Sequence, residues 1–92
     1  MIKYTLYTEN KNIESIKGFI NLYYKGYTII NACGYWQGIK EKSLKIEILT
    51  EKSKRQLIYN KIAVNAIIES IKKINNQSSV LLTTESIKAD FL

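Results

Sequence analysis

The 92-residue chain has no proline and no histidine, one cysteine, one arginine, one tryptophan and four glycines. Each shortage excludes something. With so little punctuation, most of the chain must lie in regular elements joined by short connections. The single thiol, Cys33, cannot form an intrachain disulfide, and without imidazoles one chain offers no ligand set for a structural zinc site. A serine triad of the usual kind is excluded for the same reason, although Ser43, Ser78 and Ser79 are present. There is no P-loop or glycine-rich dinucleotide fingerprint, since residues 34–38 (GYWQG) sit in a hairpin pattern and not before a helix. No catalytic set, metal site or cofactor is therefore expected. No apolar run approaches the ~20 residues of a membrane span. The opening MIKYTLYTEN lacks the long apolar core and small-residue cleavage site of a signal peptide. A cytoplasmic protein with no membrane partner is the expectation.

What is present suffices for one domain, 1–92. Apolar residues make up 46% of the chain, enough for a packed core. The net charge of +6 comes from thirteen lysines and Arg55 against eight acids. That balance favours acidic partners: nucleotides, nucleic acid or anionic proteins. Abundant lysine, isoleucine and asparagine are also what an AT-rich genome produces, and lone lysines keep a surface soluble.

Residues 2–8 alternate Ile2, Tyr4, Leu6 with Lys3, Thr5, Tyr7 and read as a strand. Asn10 or Asn12 can cap a helix carrying Ile13, Ile16, Phe19 or Ile20, and Tyr23, with Gly26 as its C-cap. Residues 27–36 and 43–50 alternate again and predict a hairpin with a broad tip over 35–42. A charged turn at 51–55 leads to a second helix over 56–74. Its apolar stripe is Tyr59, Ile62, Ala63, Ala66, Ile67, Ile71 and Ile74. Asn75, Asn76 and Gln77 end it, and residues 79–84 form the next strand. Ile87, Ala89 and Phe91 alternate once more, predicting a short fifth strand on a sheet edge or a neighbouring subunit.

The order β-α-β-β-α-β specifies an α+β, ferredoxin-like fold: an antiparallel sheet with two helices on one face. That topology brings three loops to one end. Glu9, Asn10 and Lys11 come from the first, Tyr35, Trp36, Gln37 and Lys40 from the hairpin, and Asn75 and Asn76 from the third. These nine are the candidate ligand-binding residues. Lysines supply charge, Trp36 a stacking surface, and the amides a donor and an acceptor each.

Gly26-Tyr27, Tyr35-Trp36-Gln37-Gly38, Ser43-Leu44-Lys45-Ile46 and Val80-Leu81-Leu82 together resemble the PII-like superfamily and its CutA-type trimers. The resemblance implies a homotrimer ahead of a dimer, and a small effector, nucleotide-like, bound in clefts between subunits near the 34–42 hairpin. The leading expectation is thus a non-enzymatic, oligomeric binding protein for a small anionic effector or a protein partner. One alternative is a small inhibitor or decoy of phage or plasmid type that binds a protein or sequesters a signal molecule. Another is an RNA-recognition module, which shares the element order and would stack bases on Tyr4 or Tyr7. The third strand, with no aromatic over 43–49, lacks that module's signature.

Overall fold

A computed structural model describes residues 1–92. The elements are β1 (Ile2–Glu9), α1 (Ile13–Asn21), β2 (Thr28–Trp36), β3 (Ile39–Thr50), α2 (Lys54–Asn75) and β4 (Leu81–Ser86). They form one antiparallel sheet in the order β2-β3-β1-β4, the ferredoxin-like arrangement expected from the element order. Alternation along each strand sorts side chains onto two faces. Tyr4, Leu6, Leu44, Ile46 and Ile48 meet Ile16, Ile20, Val64, Ile67 and Ile71 of the helices in one core. The other face is open.

The hairpin is tighter than predicted. Gln37 and Gly38 alone make the turn, at φ 50° and 77°. Two successive left-handed residues form the turn whose twist matches paired strands, and glycine at the second position carries no strain. Residues 39–42, expected in the tip, are therefore strand, paired Ile39 to Trp36 through Lys42 to Cys33. β1 ends at Glu9, opposite Ser43. Beyond that point β2 and β3 continue as a two-stranded arm of four residues each, roughly 13 Å long.

Three further boundaries differ from the sequence reading. First, α1 stops at Leu22, whose N–H reaches the Phe19 carbonyl at 3.3 Å while the Tyr23 and Tyr24 N–H groups take that of Ile20, well before Gly26. Tyr24 then turns inward to bond α2, so side-chain anchoring ends the helix, not glycine. Second, α2 starts two residues early because Ser53 caps it, its hydroxyl accepting from the Gln56 N–H at 3.1 Å. Third, β4 lies two residues later than predicted, and 87–92 form no strand. Ile87 exchanges two hydrogen bonds with Met1. The β1–β4 ladder runs from Tyr7 opposite Leu81 to Ile2 opposite Ser86, and the tail continues past it. Phe91 instead lies beside Lys3, Thr28, Glu47 and Leu49 on the open face.

The buried face of α2 is also rotated from the predicted stripe. Asn60, Ala63, Val64, Ile67, Ile71 and Asn75 point inward, while Ile62 is 67% exposed and Tyr59 and Ile74 are 43% exposed. Two asparagines hold the ends of the inward face, so apolar spacing alone points the wrong way.

Candidate functional site

All three predicted loops reach the hairpin end of the sheet. The Asn10 N–H donates to the Lys42 carbonyl at 3.3 Å, tying the β1–α1 loop to the root of the arm. Lys11 folds back on Glu9, ammonium to carboxylate at 3.2 Å. Asn12 occupies the left-handed region at φ 54°, where asparagine is among the few tolerated residues. Its side chain does not cap α1. It donates instead to Asn75 Oδ1 at 3.0 Å and to the Ile74 carbonyl at 3.3 Å.

Asn75 is the hub of a closed amide cluster. Its Nδ2 donates to Gln77 Oε1 at 2.9 Å and to Thr8 Oγ1 at 3.3 Å. The Thr8 hydroxyl in turn donates to Gln77 Oε1 at 2.8 Å, and Gln77 Nε2 donates to the Ser79 carbonyl at 2.7 Å. Asn75 is buried, and its polar atoms are engaged by the chain itself. Asn76 is the exposed left-handed C-cap of α2, where its N–H serves the Lys72 and Lys73 carbonyls.

The arm splits the remaining candidates by strand parity. With the turn at Gln37-Gly38, the side carrying the helices receives Asn31, Cys33 and Tyr35 from β2 and Lys40 and Lys42 from β3. Trp36, Ile39 and Glu41 fall on the open side. Tyr35 and Trp36, nominated together, thus face opposite ways, 70% and 66% exposed.

Two recesses lie where the arm meets the β1–α1 loop. One, about 320 Å³, is lined by Asn10, Asn31, Ala32, Cys33 and Lys42. The other, about 300 Å³, is lined by Glu9, Asn10, Lys11, Glu41 and Lys42. Glu9, Asn10 and Lys11 therefore line these recesses as a group. Tyr35 and Lys40 stand further along the arm on the helix side, and Trp36, Gln37, Asn75 and Asn76 line neither recess. Asn31, Cys33, Glu41 and Lys42 were not nominated from sequence, because the broad predicted tip hid the register that brings them in.

The charges around the recesses are unequal. Ion pairs engage Lys3, Lys11, Lys17, Lys45 and Lys72, whereas Lys40 and Lys42 have no carboxylate partner. On the open face Lys3 sits between Glu85 at 3.1 Å and Glu47 at 3.3 Å, and these carboxylates hold its ammonium above the ordinary lysine range.

A third recess, about 390 Å³, opens at the opposite end beside Tyr23, Tyr24, Thr50, Gln56 and Tyr59. Its polar atoms mostly serve the fold: Tyr59 bonds the Tyr23 carbonyl, and Tyr24 and Gln56 both bond Asn60. Neither helix is long and apolar enough to cross a membrane.

No family model and no curated protein matches the chain. Solved structures do. A DUF3240 family protein from Shewanella baltica superposes with a TM-score of 0.68 at 13% identity, over 99% of this chain and 93% of that one. A phage SAM lyase in its apo state gives 0.64 at 15% identity, over 99% and 91%. A de novo designed protein with a ferredoxin fold, LFR1 1, gives 0.50 at 14% identity, over 99% and 88%. At these identities what is shared is the small ferredoxin-like fold.

Proposed function

We propose that this chain is a small oligomeric binding protein that takes a small anionic, nucleotide-like effector on the helix side of the arm. The observation carrying this reading is the pair Lys40 and Lys42, two residues apart on one strand face, with no carboxylate partner. An unneutralised pair of ammoniums attracts phosphate, and hydrogen bonds between charged partners are about twice as strong as neutral ones. Asn10 and Asn31 offer amide donors and acceptors beside Lys42, and Tyr35 presents a ring on the same face for stacking a base. The PII-like resemblance supports a subunit cleft beside this hairpin, with a trimer as the assembly.

A second reading is SAM itself, sequestered or cleaved. Its support is that a phage SAM lyase shares the fold. The neighbouring recess also presents the Glu9 and Glu41 carboxylates, which suit the sulfonium and ammonium of SAM better than the lysine pair does.

Titration calorimetry with nucleotides, cyclic dinucleotides and SAM tests both, with mass spectrometry following SAM over time. A nucleotide that binds wild type and is weakened in Lys42→Ala supports the first reading. Binding of SAM alone, lost in Glu41→Gln, replaces it with the second, and SAM breakdown makes the protein an enzyme. If no compound in the panel binds, both readings fail.

A further inference from the structure

The side of the helices turned away from the sheet is positive without compensation. α1 and α2 carry two acids, and each is already engaged: Glu14 by Lys17 at 3.2 Å and Glu69 by Lys72 at 3.4 Å. Lys54, Arg55, Lys61 and Lys73 of α2, and Lys25 just after α1, have no carboxylate partner. No acid stands in the first turn of α2, where the helix dipole would favour one. Among these cations large apolar side chains are left in water: Leu22 is 75% exposed, Ile62 67% and Ile58 58%. Single exposed apolar residues need no explanation, whereas a group of them beside unpaired charge marks an interaction surface.

The group follows a groove. The helices run antiparallel, since Asn12, ahead of α1, bonds Ile74 and Asn75, while the Tyr59 hydroxyl bonds the Tyr23 carbonyl beyond the other end. Along α2, Arg55, Tyr59, Ile62, Ala66, Ser70 and Lys73 recur at three- and four-residue intervals and so lie on one flank. Phe19 meets that flank at a recess of about 260 Å³ lined by Ser70, Lys73 and Ile74, so this is the flank turned to α1. The row is uncharged between two free cations about 27 Å apart. Its middle is shallow: Ala66 and Ser70 are small, and on α1 nothing lies within 4 Å of where a Gly18 side chain would begin.

We propose that this groove docks an acidic amphipathic helix of a protein partner. Its apolar face would lie on Phe19, Leu22, Ile62 and Ala66, and its carboxylates on Arg55 and Lys73. The length of the uncharged row suits a helix, whose own side chains repeat at the same spacing, and the small floor lets its backbone approach. Charge selects the chemistry. A second copy would set unpaired cations against unpaired cations, and a nucleic acid would lay phosphates along a row with no charge in it. A bilayer is flat and would leave the recess at Phe19 empty. The groove is distinct from the lysine recess on the arm, so the two stand or fall separately.

The test uses a labelled synthetic peptide of about 18 residues, long enough to span the groove as a helix, with leucine along one face and glutamate on the other. Its controls are a scrambled sequence of the same composition and a lysine-for-glutamate counterpart. Fluorescence anisotropy should show binding of the acidic amphipathic peptide alone, weakening as salt is raised. Ile62→Asp and Lys73→Glu should each reduce affinity about tenfold, while Lys42→Ala leaves it unchanged. Ile62 and Lys73 are both exposed, so neither change should move the urea midpoint. No binding of the acidic peptide, equal binding of its scrambled form, or indifference to both variants overturns the proposal. Capture by phosphatidylglycerol vesicles or single-stranded DNA that Ile62→Asp abolishes, with the peptide unbound, would assign the face to that surface instead. A dimer in sedimentation that Ile62→Asp dissociates would assign it to a second copy, and overturns the proposal equally.

Discussion

The Tyr24 hydroxyl donates to Asn60 Oδ1 at 2.7 Å, joining the end of α1 to a fully buried asparagine on α2. The same oxygen accepts from Gln56 Nε2 at 2.9 Å, and Asn60 Nδ2 donates to Thr50 Oγ1 at 2.8 Å. Three elements thus converge on one amide, and no buried side-chain polar atom is left without a partner. This network orients α2 and ends α1 at Leu22.

Replacing Asn60 with leucine keeps the branched four-atom side chain and removes every bond that the amide makes. The Tyr24 hydroxyl then loses its partner inside the protein, at about 1–3 kcal/mol for an unsatisfied buried group, while Thr50 Oγ1 loses one bond and keeps the one it donates to the Glu51 carbonyl. We expect Asn60→Leu to lower unfolding free energy by about 2–4 kcal/mol, read as a shifted urea midpoint at unchanged slope. A loss below about 0.5 kcal/mol would mean the network does not hold α2 in place.

Burial pushes the Tyr24 phenol well above its ordinary value of 10.0, with the neighbouring Tyr4 and Tyr59 adding to the shift. The folded state favours the protonated form, so the resulting stability is intact below pH 10 and is lost as pH rises above it. Tyr24→Phe should therefore be less stable than wild type near neutrality, by about 1 kcal/mol for the lost hydrogen bond. Its stability should fall less steeply above pH 10. Parallel curves for the two proteins over that range would refute the assignment.

Asn12 joins an unusual backbone angle to the amide cluster. Asn12→Ala loses both side-chain bonds and places a Cβ-bearing residue without a polar group at φ 54°, at a combined cost of about 2–3 kcal/mol. Asn12→Gly removes the same bonds without the backbone strain and should recover about 1 kcal/mol of that loss. Equal midpoints for the two variants would show that the left-handed angle contributes nothing.

The strands and helices were legible because their periodicities are strong: alternation in β1 and β3, and the 3.6-residue spacing of Ile67 and Ile71. The element order sufficed for the sheet topology. What the pattern could not carry was polar. Asn60 and Asn75 look like surface residues by type, yet they define the inward side of α2 through bonds to residues distant in sequence. The Gln37-Gly38 turn was hidden because glutamine is a poor marker of a left-handed position. Missing it shifted the start of β3 by four residues and concealed that Lys40 and Lys42 share a face. Asn75 was named for its amide, and that amide is engaged by Asn12, Thr8 and Gln77.

The same turn gives a direct check on the arm. Gln37 at φ 50° followed by Gly38 at φ 77° is the position for Asn-Gly. Gln37→Asn should slow amide exchange of residues 33–42, consistent with about 0.5 kcal/mol of added arm stability, while Gly38→Ala should speed it through about 1 kcal/mol of strain. Identical exchange in both variants would mean the arm's pairing does not depend on this turn.

Strand parity separates the roles of the two adjacent aromatics. Tyr35 shares a face with Lys40 and Lys42, and Trp36 shares the opposite face with Ile39 and Glu41. For any anionic ligand of the lysine recess, Lys42→Ala should weaken binding about tenfold, a loss of about 1.4 kcal/mol, and the loss should shrink as salt is raised. Tyr35→Ala should weaken a base-bearing ligand and spare inorganic phosphate, because stacking needs a ring on the ligand. Trp36→Ala should leave both affinities unchanged, since its indole is on the opposite, open side of the sheet. Calorimetry on the three variants, with sedimentation run alongside, tests this division. A Trp36→Ala protein that keeps its assembly but loses the ligand would place the binding surface on the open face and remove Lys42 from it.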